Sequence, residues 1–352
     1  MAQVKLGFDF GTNLSVVAVE REGKRIDKIQ DMITSVVGYA KPTVLPGILP
    51  GNRTRFFSNE AIDQRRYLDL RWPMTEGIVR DLDTARDFLG HVRSLVDAKD
   101  EVWGVVGTPA RTTPEELERM RDALGANFAR FLIVPEPFLA ALGLRDEAKL
   151  SDPAYKDPVR NSMVVDIGAG TTDLCNLQGF FPTDEDQSSF RKAGNNVDAE
   201  LRRLIEQKYP DVKMHNVSVT RVKEQNSYVG KPTKKVTVEV LIHGKPRTLD
   251  VTELIGRACE ILVPETVEAI TDLAKRAEQE VAELIIGNII LTGGGSRIAG
   301  LAEMIEERLH QRGIVGAKVT RADNYKKLVA EGGLKVAKMM RDDQWQHPSL
   351  SA

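Results

Sequence analysis

The sequence predicts an α/β protein of two lobes, each built on a helix-covered mixed sheet and each carrying a small inserted subdomain. Three observations predict it. A chain of 352 residues is more than one small core needs. Short apolar runs at 102–106, 131–134 and 163–167 alternate with helical stretches at 114–123 and 138–148, the order that yields parallel strands under helices. A strand-to-turn pattern also occurs twice, as Leu6-Gly-Phe-Asp9-Phe-Gly-Thr-Asn13 near the start and as Met163-Val-Val-Asp166-Ile-Gly-Ala-Gly-Thr-Thr-Asp173 about midway.

Taken in order, 4–10 is a strand candidate ending in Asp-Phe-Gly-Thr-Asn, and 14–19 reads as the returning strand of a hairpin. Residues 34–76 are rich in Pro, Gly and Arg and lack sustained periodicity before 60–70, which marks the first insertion. A helix is expected over 84–96. In the second half, 192–250 holds a helix candidate, a Lys/Thr-rich segment and two short strands around His243-Gly244-Lys245, the second insertion. Residues 251–274 read as one long amphipathic helix with Leu254, Ala258, Ile261, Leu262 and Val267 on a common stripe. Residues 288–292 read as a core strand feeding a glycine triplet. The expected boundaries are 1–160 for the first lobe, 161–335 for the second, and 336–352 for a C-terminal helix and tail. No low-complexity linker separates the halves, so they are expected to act as one clamp.

Composition narrows the function classes. With 41% hydrophobic and 28% charged residues the chain reads as globular, and a formal net charge of −2 supplies no field that would draw it to nucleic acid. Two cysteines, Cys175 and Cys259, form no CxxC pair, which argues against structural zinc or a disulfide framework and fits a reducing cytoplasm. The best apolar run, 284–291, is broken by Gly287 and Asn288 and falls far short of the ~20 residues that span a bilayer. The histidines His91, His215, His243, His310 and His347 are scattered without ligand spacing and read as surface or helix-end residues. Arg65, Arg66 and Arg71 suit either a subunit contact or a solvated face, and Lys231, Lys234 and Lys235 suit a solvated hairpin.

The chemistry concentrates in the turns. A glycine-bearing turn after a strand aims backbone N–H groups at an anion, and phosphate is the obvious guest. Gly11, Thr12 and Asn13 form the first such turn. The second packs Asp166, Gly168, Gly170, Thr171, Thr172 and Asp173 into eight residues, more than backbone freedom alone requires. The expectation is that both turns grip one polyphosphate while Asp9 and Asp166 hold Mg²⁺ through water, since Mg²⁺ gives up its hydration reluctantly. A third element, Gly293-Gly294-Gly295-Ser296-Arg297, lets the main chain lie flat against a planar ring such as adenine; a tight strand-to-helix turn explains the triplet equally well.

The order of phosphate turn, insertion, second phosphate turn, second insertion and Gly-Gly-Gly-Ser-Arg resembles the superfamily of actins, heat-shock chaperones and sugar kinases. Leu70-Arg71-Trp72-Pro73-Met-Thr-Glu-Gly77-Ile-Val-Arg-Asp81, Val134-Pro-Glu136-Pro137-Phe and Val222-Lys223-Glu224-Gln225 resemble bacterial actins within it. Arg66-Tyr-Leu-Asp-Leu-Arg71-Trp-Pro73, Lys192-Ala-Gly-Asn195-Asn-Val-Asp198 and Lys223-Glu-Gln-Asn-Ser-Tyr-Val-Gly230 are most similar to the magnetosome-filament branch of that family. The resemblance covers nearly the whole chain, leaving 145–160 and the last dozen residues unmatched.

The resemblance implies an actin-like ATPase fold, ATP/ADP and Mg²⁺ as ligands, and self-association into a cytoplasmic filament that organises magnetosomes, with magnetosome or membrane-associated adaptor proteins as partners. It also implies residue roles. Glu136 would orient the water that attacks the γ-phosphate, Asp166 would act with Asp9 around metal and water, and Lys223 with Glu224 would contact ribose or adenine. Taken from the residues alone, Glu136 between two prolines equally suits a helix-start carboxylate. Asn13 departs from the family pattern, which has serine or threonine there. Other functional classes are a non-polymerising ATP-binding scaffold of the same fold, as in pilus assembly machinery, and a small-molecule kinase, for which neither insertion shows a substrate site.

Overall fold

The first apolar run becomes a central strand because both of its faces are covered. Val4, Leu6 and Phe8 are fully buried on one side. On the other, Gly7 admits a helix so closely that a Cβ there would overlap the carbonyl oxygen of Ala330. The computed structural model describes residues 3–26, 31–96, 101–242 and 244–347, and the chain divides into two units, Met1–Val159 with Lys326–Ala352, and Arg160–Tyr325.

In the first unit β1 (Gln3–Asp9) pairs antiparallel with β2 (Leu14–Arg21), which carries β3 (Lys24–Arg25) and β4 (Met32–Thr34) on its other edge. The first insertion follows as a separate sheet of β5 (Val37–Ala40), β6 (Arg55–Phe57) and β7 (Leu68–Arg71) with α1 (Ser58–Asp63). It closes over its own small core of Val36, Leu49, Phe56, Ala61 and Leu68. The hairpin β8 (Met74–Thr75) and β9 (Ile78–Val79) turns through Glu76 and Gly77, both at positive φ, and leads into α2 (Leu82–Val96). Asp81 caps that helix: its carboxylate accepts from the Thr84 hydroxyl at 2.7 Å and the Thr84 amide at 3.2 Å. β10 (Glu101–Thr108) then adds parallel to β1. α3 (Pro114–Gly125) starts with a Thr113/Glu116 capping box and a proline in its first turn. β11 (Arg130–Pro135) adds parallel to β10 and runs directly into α4 (Glu136–Leu144).

The second unit repeats the design. β12 (Arg160–Ile167) and β13 (Thr172–Gln178) form the antiparallel hairpin, and β14 (Gln187–Phe190) extends it. The second insertion contains α5 (Gly194–Lys208), α6 (Asn216–Asn226) and the hairpin of β15 (Thr237–Ile242) and β16 (Lys245–Asp250); His243 lies outside the described residues. The expected single helix over 251–274 is two helices, α7 (Thr252–Glu260) and α8 (Val263–Ala274). Pro264 explains the break, because proline has no N–H to bond back and its ring fits only the first turn of a helix. After α9 (Gln279–Ile286), β17 (Ile289–Thr292) adds parallel to β12, α10 (Leu301–Gln311) follows, and β18 (Val319–Arg321) adds parallel to β17.

The chain then returns to the first unit through α11 (Leu328–Met339). Residues 326–335 therefore belong with the first unit rather than the second. The cause is close packing: a Cβ on Gly332 would overlap the Leu139 carbonyl, and one on Gly143 would overlap the Leu328 carbonyl, so α11 and α4 meet backbone to backbone. Arg25 adds an ion pair with Glu331 on the same helix.

Candidate functional site

Each unit ends its leading strand in an aspartate-bearing turn, and the two turns are held differently. In the first, the chain reverses from Asp9 through Gly11, Thr12 and Asn13 into β2, so tightly that a Cβ on Gly11 would overlap the Leu14 carbonyl. The Thr12 hydroxyl accepts from the Gly77 amide at 3.3 Å, and the Asn13 carbonyl accepts from the Ser35 amide at 3.0 Å. The turn is thus anchored on the β8–β9 hairpin and on the approach to the first insertion. Burial pushes the Asp9 carboxyl up to about 7, because the ionised form loses its hydration there. A cation at this carboxylate would favour its charged form.

Glu136 opens α4 immediately after β11 ends at Pro135. It is half-buried, and the helix dipole favours a carboxylate at this terminus. Gly107 on β10 makes room for it: a Cβ there would lie 2.9 Å from both Glu136 Cγ and Val329 Cγ1. A glycine inside a strand was the signal that could have revealed this packing in Gly104-Val-Val-Gly107.

In the second unit Asp166 stands opposite Asp173 on β13 and Thr292 on β17, and all three are buried. The turn between β12 and β13 is closed by one internal bond and held by three more to the segment 192–195. The Gly168 amide donates to the Thr171 carbonyl at 2.9 Å, the Gly194 amide to Gly168 O at 3.1 Å, and the Asn195 amide to Ala169 O at 2.8 Å. The Thr172 hydroxyl donates to Lys192 O at 2.8 Å. The start of α5 is therefore built onto this turn, and Gly170, Thr171 and Thr172 are buried within it.

The glycine triplet separates into two kinds. A Cβ on Gly293, at φ +74, would overlap the Asp166 carboxylate, and one on Gly295 would overlap the Ile167 side chain. Both are needed for packing against the end of β12. A Cβ on Gly294 would meet nothing within 4 Å. Its missing side chain is not required by the protein's own packing, and an exposed glycine here leaves the backbone clear for a flat ligand. The Ser296 hydroxyl donates to Gly293 O at 2.7 Å, and the Arg297 guanidinium lies 5.6 Å from the Tyr325 ring.

Lys223 and Glu224 lie on α6. The Lys223 ammonium is held by Asp198 at 3.0 Å and by the Gly194 carbonyl at 3.1 Å, while the Glu224 side chain is exposed. Sequence reasoning missed Asp198, Gly77 and Gly107 as supports of these sites. Among the described residues no group of three or more His, Cys, Asp or Glu converges as a metal cage. Single carboxylates such as Asp9 and Asp166 instead suit a cation that keeps most of its own water.

Several other titratable groups make contacts within the fold. His91 stacks on Phe57 at 4.6 Å, His215 accepts from the Val217 amide at the start of α6, and His310 lies 3.0 Å from Ala317 O. Burial raises the Cys175 thiol and pushes the Cys259 thiol up to about 12. Arg71 lies over the Tyr39 ring and beside Asp81, and Lys235 lies 3.5 Å from Asp250. No helix among the described residues is long and apolar enough to cross a membrane.

Comparison with known proteins matches residues 59–345 to the MreB/Mbl protein family. The chain is 35% identical to the actin-like protein MamK of Paramagnetospirillum magneticum over 97% of its own length and 94% of that protein's. It is also 35% identical to MamK of Magnetospirillum gryphiswaldense, over 97% and 90%. Among solved structures, the MamK double helical filament superposes with a TM-score of 0.84 at 35% identity, covering 96% of this chain and all of that one. A non-polymerising MamK mutant bound to AMPPNP superposes with a TM-score of 0.65 at 34% identity, covering 96% and 99%.

Proposed function

The chain belongs to the MreB/Mbl family of actin-like bacterial proteins, and from that premise we propose that it is a filament subunit whose assembly is governed by binding and hydrolysis of ATP. The observation that carries this reading is the whole-length likeness to the subunit of a MamK filament, at a TM-score of 0.84. The AMPPNP in a relative of 34% identity supports the nucleotide, and the exposed backbone at Gly294 leaves room for a flat ligand against the triplet.

In this reading the amides and hydroxyls of Gly11, Thr12, Asn13, Gly168, Gly170, Thr171 and Thr172 bind phosphate oxygens. Gly293, Gly294, Gly295, Ser296 and Arg297 receive the base side. Glu224 and the aliphatic stem of Lys223 flank the ribose. Asp9 and Asp166 would hold Mg²⁺, which when bound would supply positive charge against the phosphates. Glu136 accepts a hydrogen bond from the attacking water and orients it, while the turns keep the phosphoryl group in line. Positioning and charge stabilisation of this kind are most of the catalysis in phosphoryl transfer. Loss of the γ-phosphate removes contacts to the turns, changes the surface a subunit presents, and weakens a head-to-tail contact that repeats along an open polymer. The finer assignment is a cytoplasmic filament that organises magnetosomes through adaptor proteins.

Electron microscopy and sedimentation of the purified protein with Mg-ATP, Mg-AMPPNP and no nucleotide test the reading. Filaments that require nucleotide support it. A protein that binds and hydrolyses ATP yet stays monomeric across concentration and salt would replace it with the non-polymerising scaffold.

A further inference from the structure

Lys223 presents a physical puzzle. Its ammonium is largely buried at the N-terminal end of α5, where the helix dipole opposes a cation. Asp198, five residues into the same helix, resolves it: one carboxylate oxygen lies 3.0 Å from the ammonium and the other accepts from the Thr220 hydroxyl at 2.9 Å. The ammonium end of this ion pair leads on to the turn after β12. The ammonium also donates to the carbonyl of Gly194 at 3.1 Å, and the amide of that same residue donates to Gly168 O at 3.1 Å, with the Asn195 amide on Ala169 O beside it. Gly194 itself is confined, since a Cβ there would sit 3.2 Å from Gly168 O and 3.4 Å from the ammonium. Two links thus join α6 to the 168–172 turn, Lys223 to Gly194 and Gly194 to Gly168, while Asp198 ties Lys223 and Thr220 of α6 to α5.

We propose that Asp198 and Lys223 are positioning residues that set the shape of the 168–172 turn, and that through them α6 and the turn move as one piece. The proposal rests on the nucleotide reading above and adds to it a distinct task for the ammonium. Each partner of this buried ion pair makes one further hydrogen bond, Lys223 to Gly194 O and Asp198 from Thr220, and breaking the pair by removing one partner leaves an uncompensated charge. The turn would lose its backing on one side, so its amides would meet the γ-phosphate less well while contacts to ribose and base stay in place.

Steady-state ATPase assays and titrations with AMPPNP and ADP on Asp198→Asn, Lys223→Met and the double variant test this. Each single change is expected to lower kcat about tenfold, to move KM for ATP less than about threefold, and to reduce the preference for AMPPNP over ADP. The double variant should be no worse than either single one, because the pair acts as a unit. Lys223→Arg, which keeps the charge, should recover part of the loss. Thr220→Val, which removes only the second bond to Asp198, should give a smaller change in the same direction and serves if the charge variants fold poorly.

Wild-type turnover and nucleotide preference in Asp198→Asn would overturn the proposal while leaving the ATPase reading intact. So would a Lys223→Met variant that loses ADP and AMPPNP affinity equally and additively with Asp198→Asn, the pattern of a direct ribose contact. A wild-type protein that binds no nucleotide would overturn both.

Discussion

The two aspartate turns share one design and differ in how firmly they are held. Each follows a strand that pairs parallel on one side and antiparallel on the other. The first is fixed at Thr12 by a 3.3 Å bond and at Asn13 by its main chain. The second has one internal bond and three to the segment 192–195, so that the first turn of a fifteen-residue helix is built onto it. The difference teaches that similar sequence patterns after similar strands need not be equally rigid. The second turn is braced by the start of α5, whereas the first leans on a short hairpin and a small insertion.

The largest expected effect is chemical. Asp166→Ala should fold and lose Mg-dependent hydrolysis by about 100-fold or more, since it removes a carboxylate proposed to hold the metal and leaves the apolar core alone. Phosphate release against a circular dichroism melt checks both parts, and near-normal turnover would remove Asp166 from the mechanism. Next comes the triplet that packs on the second turn. Gly295→Ala should cost about 1–3 kcal/mol through overlap with Ile167. Gly294→Ala should leave stability within about 0.5 kcal/mol of wild type and weaken nucleotide binding. Denaturant melts and a nucleotide titration separate them, and equal stability losses would break the division of the triplet.

The hydroxyls test the comparison directly. Thr172 is fully buried and donates to a carbonyl at 2.8 Å, so Thr172→Val should cost about 1–2 kcal/mol. Thr12→Val, which leaves only a long 3.3 Å partner unpaired, should cost less than about 1 kcal/mol. A reversed order in urea melts would show that the first turn is the more firmly built. The smallest signal comes from the thiols, both of which lie in the second unit. With Cys175 raised by burial and Cys259 pushed up to about 12, neither presents thiolate at pH 8. Labelling by a disulfide reagent should wait on opening of that unit, and Gly295→Ala should speed it.

The sequence made the strands, the turns and the paired design legible, because apolar runs bounded by Asp and Gly carry their own signal. It made α6 less so: only Val219 of that helix is fully buried, so its polar pattern gave no stripe to read. The helix expected over 251–274 concealed a break that Pro264 announces once a first-turn role is considered. The return of α11 to the first unit was not legible at all. It depends on Gly332 meeting Leu139 and on Leu334 meeting Gly7, contacts between residues far apart in the chain. In the site, Asp9, Asp166 and the glycines were visible as motif residues, whereas Asp198 and Gly107 act through neighbours that only folding brings to them.

The most direct test of the account is one time course in which light scattering and phosphate release are followed together after Mg-ATP is added to wild type and to Glu136→Ala. Glu136→Ala should bind ATP and assemble as wild type does, with slow phosphate release. The account predicts that wild-type scattering rises and then decays as ATP is exhausted, while the Glu136→Ala polymer persists. Scattering that never rises in either protein, or a wild-type polymer that survives complete hydrolysis, would contradict it.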